Sequence, residues 1–292
     1  YFGDDVPNFP PYTWFENDRV LQAPTVALKT PPKPNEGAWE ARPGPSVKDW
    51  DFYAVMPKLT EKAVEWLGKQ KKDEPFFLYF PFTSPHAPIV PGKEFIGKSK
   101  ANGYGDFMTQ TDSTVGEVLK ALEKHGFAEN TLVIFTADNG PERYAYDRVK
   151  NHEHRSMGPL RGLKRDLWEG GHRVPFIVRW PGSVKPGTVS GELMSQIDIF
   201  ASIATLVGAV VFAGDIDTID AIAARIETTQ LRRKLIRQPP QIECPRRAQL
   251  GANALQLIRR PAGAFALHRF LQHLVAGEQV VILQRRRLII DF

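Results

Sequence analysis

Two short apolar runs, separated by a long amphipathic helix pattern, restrict the architectures open to this chain. Residues 76–80 (FFLYF) and 131–136 (TLVIFT) each have the length and apolar content of a buried strand. Between them, residues 106–125 repeat apolar side chains at helical spacing, and Gly126 follows as a helix terminator. A strand, a helix and a second strand in that order predict a right-handed parallel crossover, and hence an α/β fold.

Further patterns extend this prediction along the chain. Apolar residues recur at helical spacing between Leu59 and Gln70, and again over residues 196–207. Residues 174–179 form another predicted strand, with a proline near its start, where an edge strand or the first strand position tolerates it. We therefore predict an α/β fold with a parallel-rich central sheet flanked by helices. Residues 1–50 are rich in Pro and Gly, so we expect an irregular segment there that contributes no core.

Charge divides the 292-residue chain into two parts. From Val210 onward there are 13 Lys and Arg against 7 Asp and Glu, a net charge of +6, whereas the preceding residues carry 25 against 26, a net charge of −1. Every Trp and Tyr lies at or before Trp180. We therefore place a boundary near Ala209, with residues 1–209 as one folded part and residues 210–292 as a basic, Arg-rich tail that packs poorly on it.

The composition of the tail leaves its origin open. A frameshifted or misjoined reading frame would give such an Arg-rich, Lys-poor sequence, and so would a divergent helical segment or a basic binding arm. The only aromatic side chains in the tail are four phenylalanines, which offer little for stacking on bases. We therefore expect no nucleic-acid partner.

Cysteine content and hydropathy exclude several classes of site and anchor. Cys244 is the only cysteine, which rules out an intramolecular disulfide and a cysteine-only metal site. No run approaches the roughly 20 consecutive apolar residues of a membrane span. The start at Tyr1 has neither the basic residues nor the apolar run of a signal peptide.

Polar residues follow the two predicted strands where ligands bind in open parallel sheets, beyond the carboxyl ends of the strands. Asp138 and Asn139 come directly after the second strand and offer the hard oxygen ligands of Ca²⁺ or Mg²⁺. The same residues, followed by Gly140, are equally good turn chemistry. His86 follows the first strand between two prolines, and it is either a proton donor or anion ligand or a surface histidine.

A basic stretch between residues 152 and 181 contains the densest cluster of cations in the chain. Lys164 lies among glycines there, and a lysine on such a loop suits a tetrahedral oxyanion beside a metal. A solvated basic loop is the alternative interpretation. His152 and His154 suggest zinc, but no third nitrogen or sulfur ligand accompanies them at metal spacing.

Four stretches resemble, in order and spacing, the sulfatase family of the alkaline-phosphatase-like superfamily, which includes the arylsulfatases. The resemblance covers residues 1–209. The fourth stretch is the most specific, because it combines a lysine-bearing loop with the strand that follows. The stretches are 76–79 continuing into 84–88, then 110–116, then 130–140, and finally 158–175 with 179–182 behind it.

The resemblance implies roles for four residues. Asp138 and Asn139 would be metal ligands, for Ca²⁺ or also Mg²⁺, and His86 and Lys164 would contact the sulfate and the ester oxygen. In the family an earlier Asp pair completes the metal site, and a Cys or Ser in a Cys-x-Pro-x-Arg signature becomes the formylglycine nucleophile. Cys244 is followed directly by proline and does not match that signature. We therefore expect an amino-terminally truncated, incomplete domain without its nucleophile.

The resemblance predicts a sulfuric ester hydrolase acting on a sulfated small molecule or carbohydrate. A phosphodiesterase or phosphonate hydrolase of the same superfamily is the enzymatic alternative, and the setting of Lys164 before Trp168 favours the sulfatase. A noncatalytic remnant that binds sulfated sugars is the third possibility. By the same resemblance we expect a periplasmic, secreted or lysosomal-type compartment.

Overall fold

The computed structural model describes residues 1–4, 7–29, 41–207 and 278–284. The chain divides into two compact units, one spanning Tyr1–Pro181 with Pro261–Phe292 and the other spanning Gly182–Arg260. The strands of the first unit are β1 (Phe2–Gly3), β2 (Phe15–Glu16), β3 (Arg19–Val20), β4 (Val26–Leu28), β5 (Gly44–Ser46), β6 (Phe77–Pro81), β7 (Thr131–Ala137), β8 (Phe176–Arg179) and β9 (Glu278–Gln284). Its α-helices are α1 (Val55–Gly68), α2 (Asn102–Lys124), α3 (Tyr144–His152) and α4 (Glu169–His172).

A four-stranded sheet with the order β6-β9-β7-β8 positions the predicted site. Strand β9 pairs antiparallel with both β6 and β7, so β6 and β7 run in the same direction, as the predicted crossover requires. Pro81 at the end of β6 and Thr136 near the end of β7 are both paired with Gln279. The carboxyl ends of β6 and β7 therefore lie at the same edge of the sheet.

The α/β class is confirmed, but the pairing within the described sheet differs from the expected one. β6 and β7 are separated by β9 instead of being direct neighbours, and β8 pairs antiparallel with β7, so every pairing in this sheet is antiparallel. β8 is at the edge of the described sheet and Pro175 directly precedes its first residue, which agrees with the predicted edge or first position. Strand β9 comes from the predicted tail, so the expectation that the tail packs poorly is wrong for residues 278–284. The rest of the tail lies outside the described residues.

Two helices and the sheet enclose one hydrophobic core. Leu67 on α1 and Leu122 on α2 are both fully buried, and the hydroxyls of Thr60 and Thr114 lie 3.0 Å apart between the same helices. The amino-terminal segment also enters this core, contrary to expectation, because Tyr12 is 2% exposed and packs edge-on against Phe52. The sequence around Tyr12 has no helical or strand periodicity, so its burial in the core could not be predicted from the pattern of apolar residues.

The second unit contains α5 (Gln196–Leu206), at the position that the sequence predicts. Its amino terminus has a capping box, in which Ser195 and Asp198 each bond the backbone of the other. The boundary predicted near Ala209 lies outside the described residues. None of the helices in the described ranges is long and apolar enough to cross a membrane.

Candidate active site

The turn after β7 presents two side-chain oxygens at the edge of the sheet. Asp138 uses one carboxylate oxygen to accept a 2.9 Å hydrogen bond from the amide of Asn139, and the side-chain amide of Asn139 donates to the carbonyl oxygen of Gly140 at 2.9 Å. The second carboxylate oxygen of Asp138 and the amide oxygen of Asn139 take no part in these two bonds. Both residues are half-buried, so the turn is closed and still offers oxygen ligands.

Backbone hydrogen bonds attach this turn to the lysine-bearing loop. The amide of Lys164 donates to the carbonyl oxygen of Pro141 at 2.9 Å, and the amide of Gly140 donates to the carbonyl oxygen of Gly171 at 2.9 Å. The amide of Gly170 donates to the carbonyl oxygen of Arg161 at 2.7 Å, so this bond joins the two ends of the lysine-bearing loop. The structure therefore brings Lys164 and the Asp138–Asn139 turn together through the main chain.

Glycines make this close approach of backbones feasible. A Cβ atom on Gly140 would overlap the carbonyl oxygen of Gly170, and one on Gly170 would overlap the carbonyl oxygen of Gly162. Gly162 itself adopts a φ of +89°, which side-chain-bearing residues rarely take. The glycines around Lys164 are thus needed for the packing of the loop. The sequence alone did not show whether they serve this packing or allow a ligand to approach the backbone.

His86 leaves the same edge of the sheet on the turn after β6, and its ring orientation is defined. Its Nδ1 lies 2.6 Å from the carbonyl oxygen of Ala87. Because a carbonyl only accepts, Nδ1 carries the hydrogen, and Nε2 is then a donor only when the ring is protonated. The half-buried ring borders a cavity of about 10 Å³, together with Pro7 and Phe107, which is room for about one water.

Tyr79 links β6 electrostatically to the turn after β7. Burial raises the pKa of the Tyr79 hydroxyl to about 12, and the negative charge of Asp138 adds to the shift. Sequence reasoning assigned Tyr79 to a buried strand and missed this proximity, because two strands that are distant along the chain come together only in the sheet. The influence of Asp138 on Tyr79 is a second link between the two strand ends.

The oxygens of Asp138 and Asn139 suit a Ca²⁺ or Mg²⁺ ion as part of a ligand set. Ca²⁺ takes about six to eight oxygens, so these two residues supply a minority of them. Within the described ranges, no group of three or more His, Cys, Asp or Glu side chains is arranged to hold a metal ion. The donor chemistry of the turn fits, and a complete cage would need ligands in addition to this pair.

The two histidines that suggested zinc have separate surroundings. His152 is exposed on the last turn of α3, whereas His154 is half-buried and lies 6.3 Å from the ring of Tyr104. Arg148 stacks on the same tyrosine and bonds Ser156 at 3.0 Å, so it ties α3 to the loop that follows. Burial, then the positive charges of Arg148 and His152, lower the pKa of His154. These contacts indicate a structural role.

A carboxylate directly after the Asp138–Asn139 turn escaped sequence reasoning. Glu142 forms a two-point ion pair with Arg165, with N–O distances of 2.7 and 3.3 Å. Burial favours a higher pKa for Glu142, but hydrogen bonds from the Arg143 amide and the Arg165 side chain, with the charges of Arg165 and Lys164, together outweigh it, so the pKa of Glu142 is lowered. Its position two residues after Gly140 and the neighbouring cations of the basic stretch were the signals available in the sequence.

Comparison with known proteins identifies relatives for two thirds of the chain. The Sulfatase family model matches residues 13–209. An N-acetylgalactosamine-6-O-sulfatase of Bacteroides thetaiotaomicron is 42% identical over 163 residues, covering 54% of this chain and 31% of that protein. A steryl-sulfatase of Rattus norvegicus is 38% identical over 159 residues, covering 54% of this chain and 27% of that protein.

A solved structure shares the fold as well. It comes from work on the metabolism of multiple glycosaminoglycans by Bacteroides thetaiotaomicron. It matches with a TM-score of 0.58 and 32% identity, over 69% of this chain and 49% of that one. The chain spans less than a third of the length of the two curated relatives.

Proposed function

This chain belongs to the sulfatase family, and from that membership we propose that it carries part of an active site that hydrolyses a sulfuric ester. The observation that most supports the proposal is the hydrogen bond from the Lys164 amide to the Pro141 carbonyl oxygen. It ties a cationic side chain to the turn that offers the oxygens of Asp138 and Asn139. A sulfate ester bears negative charge that grows on cleavage, so a fixed cation beside metal ligands matches its chemistry.

Lys164 and His86 have complementary roles in this proposal. The Lys164 ammonium binds sulfate oxygen as a point charge, and it is half-buried, so its attraction to an anion is screened less than at the surface. The His86 ring is held by Ala87 so that Nε2 is the nitrogen available to substrate. When protonated, that nitrogen donates to the ester oxygen as the alkoxide leaves.

Asp138 and Asn139 would hold the divalent cation, Ca²⁺ or alternatively Mg²⁺, through one carboxylate oxygen and one amide oxygen. A cation bound there supplies charge stabilisation to sulfate oxygens. The family also uses a formylglycine nucleophile, and no Cys-x-Pro-x-Arg signature occurs in this sequence. The described half of the site therefore contributes anion binding, orientation and proton donation.

A sulfated carbohydrate is the substrate class that we propose. Two relatives are named for sulfated N-acetylgalactosamine, from Bacteroides thetaiotaomicron at 42% and from Homo sapiens at 33% identity. The rat relative named for steryl sulfate is 38% identical, so identity alone does not separate sugar from sterol. The solved structure that matches at 32% identity comes from work on glycosaminoglycan metabolism, and this similarity supports the sugar.

Binding of a simple sulfate ester tests the proposal without requiring turnover. Isothermal titration of the chain with p-nitrophenyl sulfate in the presence of Ca²⁺ should give an affinity that falls about tenfold or more in Lys164→Met, because a charge-assisted contact contributes about 1.5–3 kcal/mol. Lys98→Met, at an exposed lysine of the same unit, is the matched control and should leave the affinity unchanged.

The same titration can contradict the proposal. Equal affinities for the parent chain and Lys164→Met would remove Lys164 from the site. Tighter binding of bis(p-nitrophenyl) phosphate than of p-nitrophenyl sulfate would favour the phosphodiesterase alternative. Binding of sulfate ester that is independent of both Lys164 and Ca²⁺ would leave only the noncatalytic interpretation.

A further inference from the structure

Helix α2 buries a face that is apolar in one half and polar in the other. Its carboxyl-terminal half presents Val118, Ala121 and Leu122 to the core, as an amphipathic helix should. The buried polar residues of its amino-terminal half are Asp106, Gln110, Thr111 and Thr114, each less than 5% exposed. Burial of polar side chains costs free energy unless they are hydrogen-bonded, so this half of the face requires specific partners.

The partners of three of these side chains lie in one segment, residues 84–99, which leads from the end of β6 toward α2. The side-chain oxygen of Gln110 accepts a hydrogen bond from the amide of Gly92 at 2.8 Å. The two carboxylate oxygens of Asp106 accept from two further backbone amides of the segment, at 2.8 and 2.7 Å. The amino-terminal half of α2 therefore attaches this segment at several points along its length.

The third side chain anchors the segment close to His86. The hydroxyl oxygens of Ser84 and Thr111 lie 2.7 Å apart, and both residues are at most 1% exposed. The Thr111 hydroxyl also lies 2.9 Å from the carbonyl oxygen of Phe107, which only accepts. The hydrogen of Thr111 therefore goes to Phe107, and the hydroxyl of Ser84 donates to Thr111. Thr111 is thus the acceptor that holds Ser84 in place.

His86 lies between two of these anchors. Its Nδ1 is 2.6 Å from the carbonyl oxygen of Ala87, the next residue, so this bond depends on the backbone conformation of the turn. Ser84 is fixed two residues before His86, and Gly92 is fixed six residues after it. The amide of His86 also donates to the carbonyl oxygen of Thr83 at 3.1 Å, directly before Ser84. The orientation of the His86 ring therefore depends on contacts that α2 supplies.

We propose that Thr111 and Ser84 are positioning residues for His86, which set the tautomer of its ring and so direct Nε2 to the ester oxygen. The inference rests on the proposed function, because it concerns the proton donor assigned there. In this assignment both residues act through the turn and not by contact with substrate. A hydrogen-bonded hydroxyl pair defines the position of the turn more narrowly than an apolar contact, because hydrogen bonds weaken steeply with distance and angle.

A general contribution of Thr111 to stability is the alternative, and α1 offers a matched control for it. Thr60 is arranged in the same way: it donates to the carbonyl oxygen of Met56, four residues earlier, at 2.8 Å, and its oxygen lies 3.0 Å from the hydroxyl of Thr114. Thr60→Val therefore removes the same kind of bond as Thr111→Val. It does so at the contact between α1 and α2 instead of at the His86 turn.

NMR of the imidazole nitrogens on the full chain tests the proposal, since it reports which ring nitrogen carries the hydrogen. The signals that disappear in His86→Gln identify His86 among the seven histidines. At a pH at which the ring is neutral, the parent chain should show a protonated Nδ1 and an unprotonated Nε2. In Thr111→Val the two signals should move toward each other, because both tautomers become populated. Thr111→Ser, which keeps a hydroxyl, and Thr60→Val should retain the parent signals.

Ser84→Ala provides the same test without risk to folding. It removes the donor of the pair and leaves Thr111 bonded to the Phe107 carbonyl oxygen, so no buried polar atom loses its partner. The same shift of the ring signals is expected. In titrations with p-nitrophenyl sulfate, Ser84→Ala should lower the affinity several-fold in the parent chain and cause no further loss in the His86→Gln background, because it acts through His86.

The outcomes separate this positioning role from the proposed function. Parent-like ring signals in both Ser84→Ala and Thr111→Val, or an equal shift in Thr60→Val, would overturn the role of the hydroxyl pair. A loss of affinity in Ser84→Ala that is equally large in the His86→Gln background would also overturn it. Unchanged affinity in Lys164→Met would instead contradict the proposed function, and the ring signals would still decide whether α2 positions His86.

Discussion

The amide of Lys164 donates a 2.9 Å hydrogen bond to the carbonyl oxygen of Pro141, which joins the lysine-bearing loop to the turn after β7. Because the bond is between main-chain atoms, it fixes the origin of the Lys164 side chain relative to the Asp138–Asn139 turn. Substitution of the Lys164 side chain, or of the Asp138 or Asn139 side chain, removes neither atom of this bond. The relative placement of cation and metal-ligand oxygens therefore depends on backbone packing, and the glycines determine that packing.

Gly140→Ala should destabilise the chain and weaken sulfate binding together. The added Cβ would overlap the carbonyl oxygen of Gly170, which is a backbone atom and cannot rotate away as the end of a flexible side chain would. Overpacking of this kind costs about 1–3 kcal/mol or more, measurable as the free energy of unfolding in urea. Gly116→Ala on α2 is the matched control, since its Cβ meets nothing within 4 Å, and it should be neutral or stabilise by up to about 1 kcal/mol. Equal effects of the two substitutions would contradict the packing argument.

Tyr12→Phe should loosen the segment that carries Arg42. The Tyr12 hydroxyl donates to the carbonyl oxygen of Arg42 at 2.6 Å and accepts from its amide at 2.9 Å, in a buried setting. Loss of both bonds should lower the free energy of unfolding by about 1–2 kcal/mol. Tyr146→Phe, at a tyrosine that is 57% exposed, should change stability by less than about 0.5 kcal/mol. A neutral Tyr12→Phe would show that these bonds do not hold Arg42.

Stability should fall as the pH drops below about 6.5, in part through His154. Burial and the nearby positive charges of Arg148 and His152 hold the pKa of His154 below its usual value of 6.5. Below that pH the unfolded chain binds a proton that the folded chain resists, so the contribution is full above pH 6.5 and is lost on acidification. His154→Gln should reduce the slope of unfolding free energy against pH just below pH 6.5, whereas the neutral exchange Asn151→Gln on α3 should not. An unchanged slope in His154→Gln would show that His154 does not contribute to the loss of stability on acidification.

Local patterns predicted the elements well because each depends on neighbouring residues. The strand predicted over 131–136 is Thr131–Ala137, and the helix predicted over 106–125 is Asn102–Lys124. Both strand ends then lie at one edge of the sheet, as their common direction requires. The positions of Asp138 and His86 after these strands therefore followed from the sequence, whereas their catalytic roles remain a prediction.

Features that depend on distant parts of the chain were not predictable in this way. Strand β9 inserts between β6 and β7 from about 140 residues beyond β7, and apolar periodicity gives no information about which strands pair. The hydrogen bond from the Tyr12 hydroxyl to the carbonyl oxygen of Arg42 likewise joins residues 30 positions apart, in a Pro-rich segment where no apolar period predicts burial.

Hydrolysis of p-nitrophenyl sulfate in the presence of Ca²⁺ tests the central claim most directly. It is measured on this chain and on a version extended by the region encoded upstream of Tyr1, each with and without Lys164→Met. We expect no turnover by the 292-residue chain, because no residue matches the nucleophile signature. We expect turnover by the extended version that falls about 10²–10³-fold in Lys164→Met, the usual cost of losing one transition-state contact. Turnover by the chain alone that disappears in Lys164→Met, or an extended enzyme indifferent to that substitution, would contradict the account.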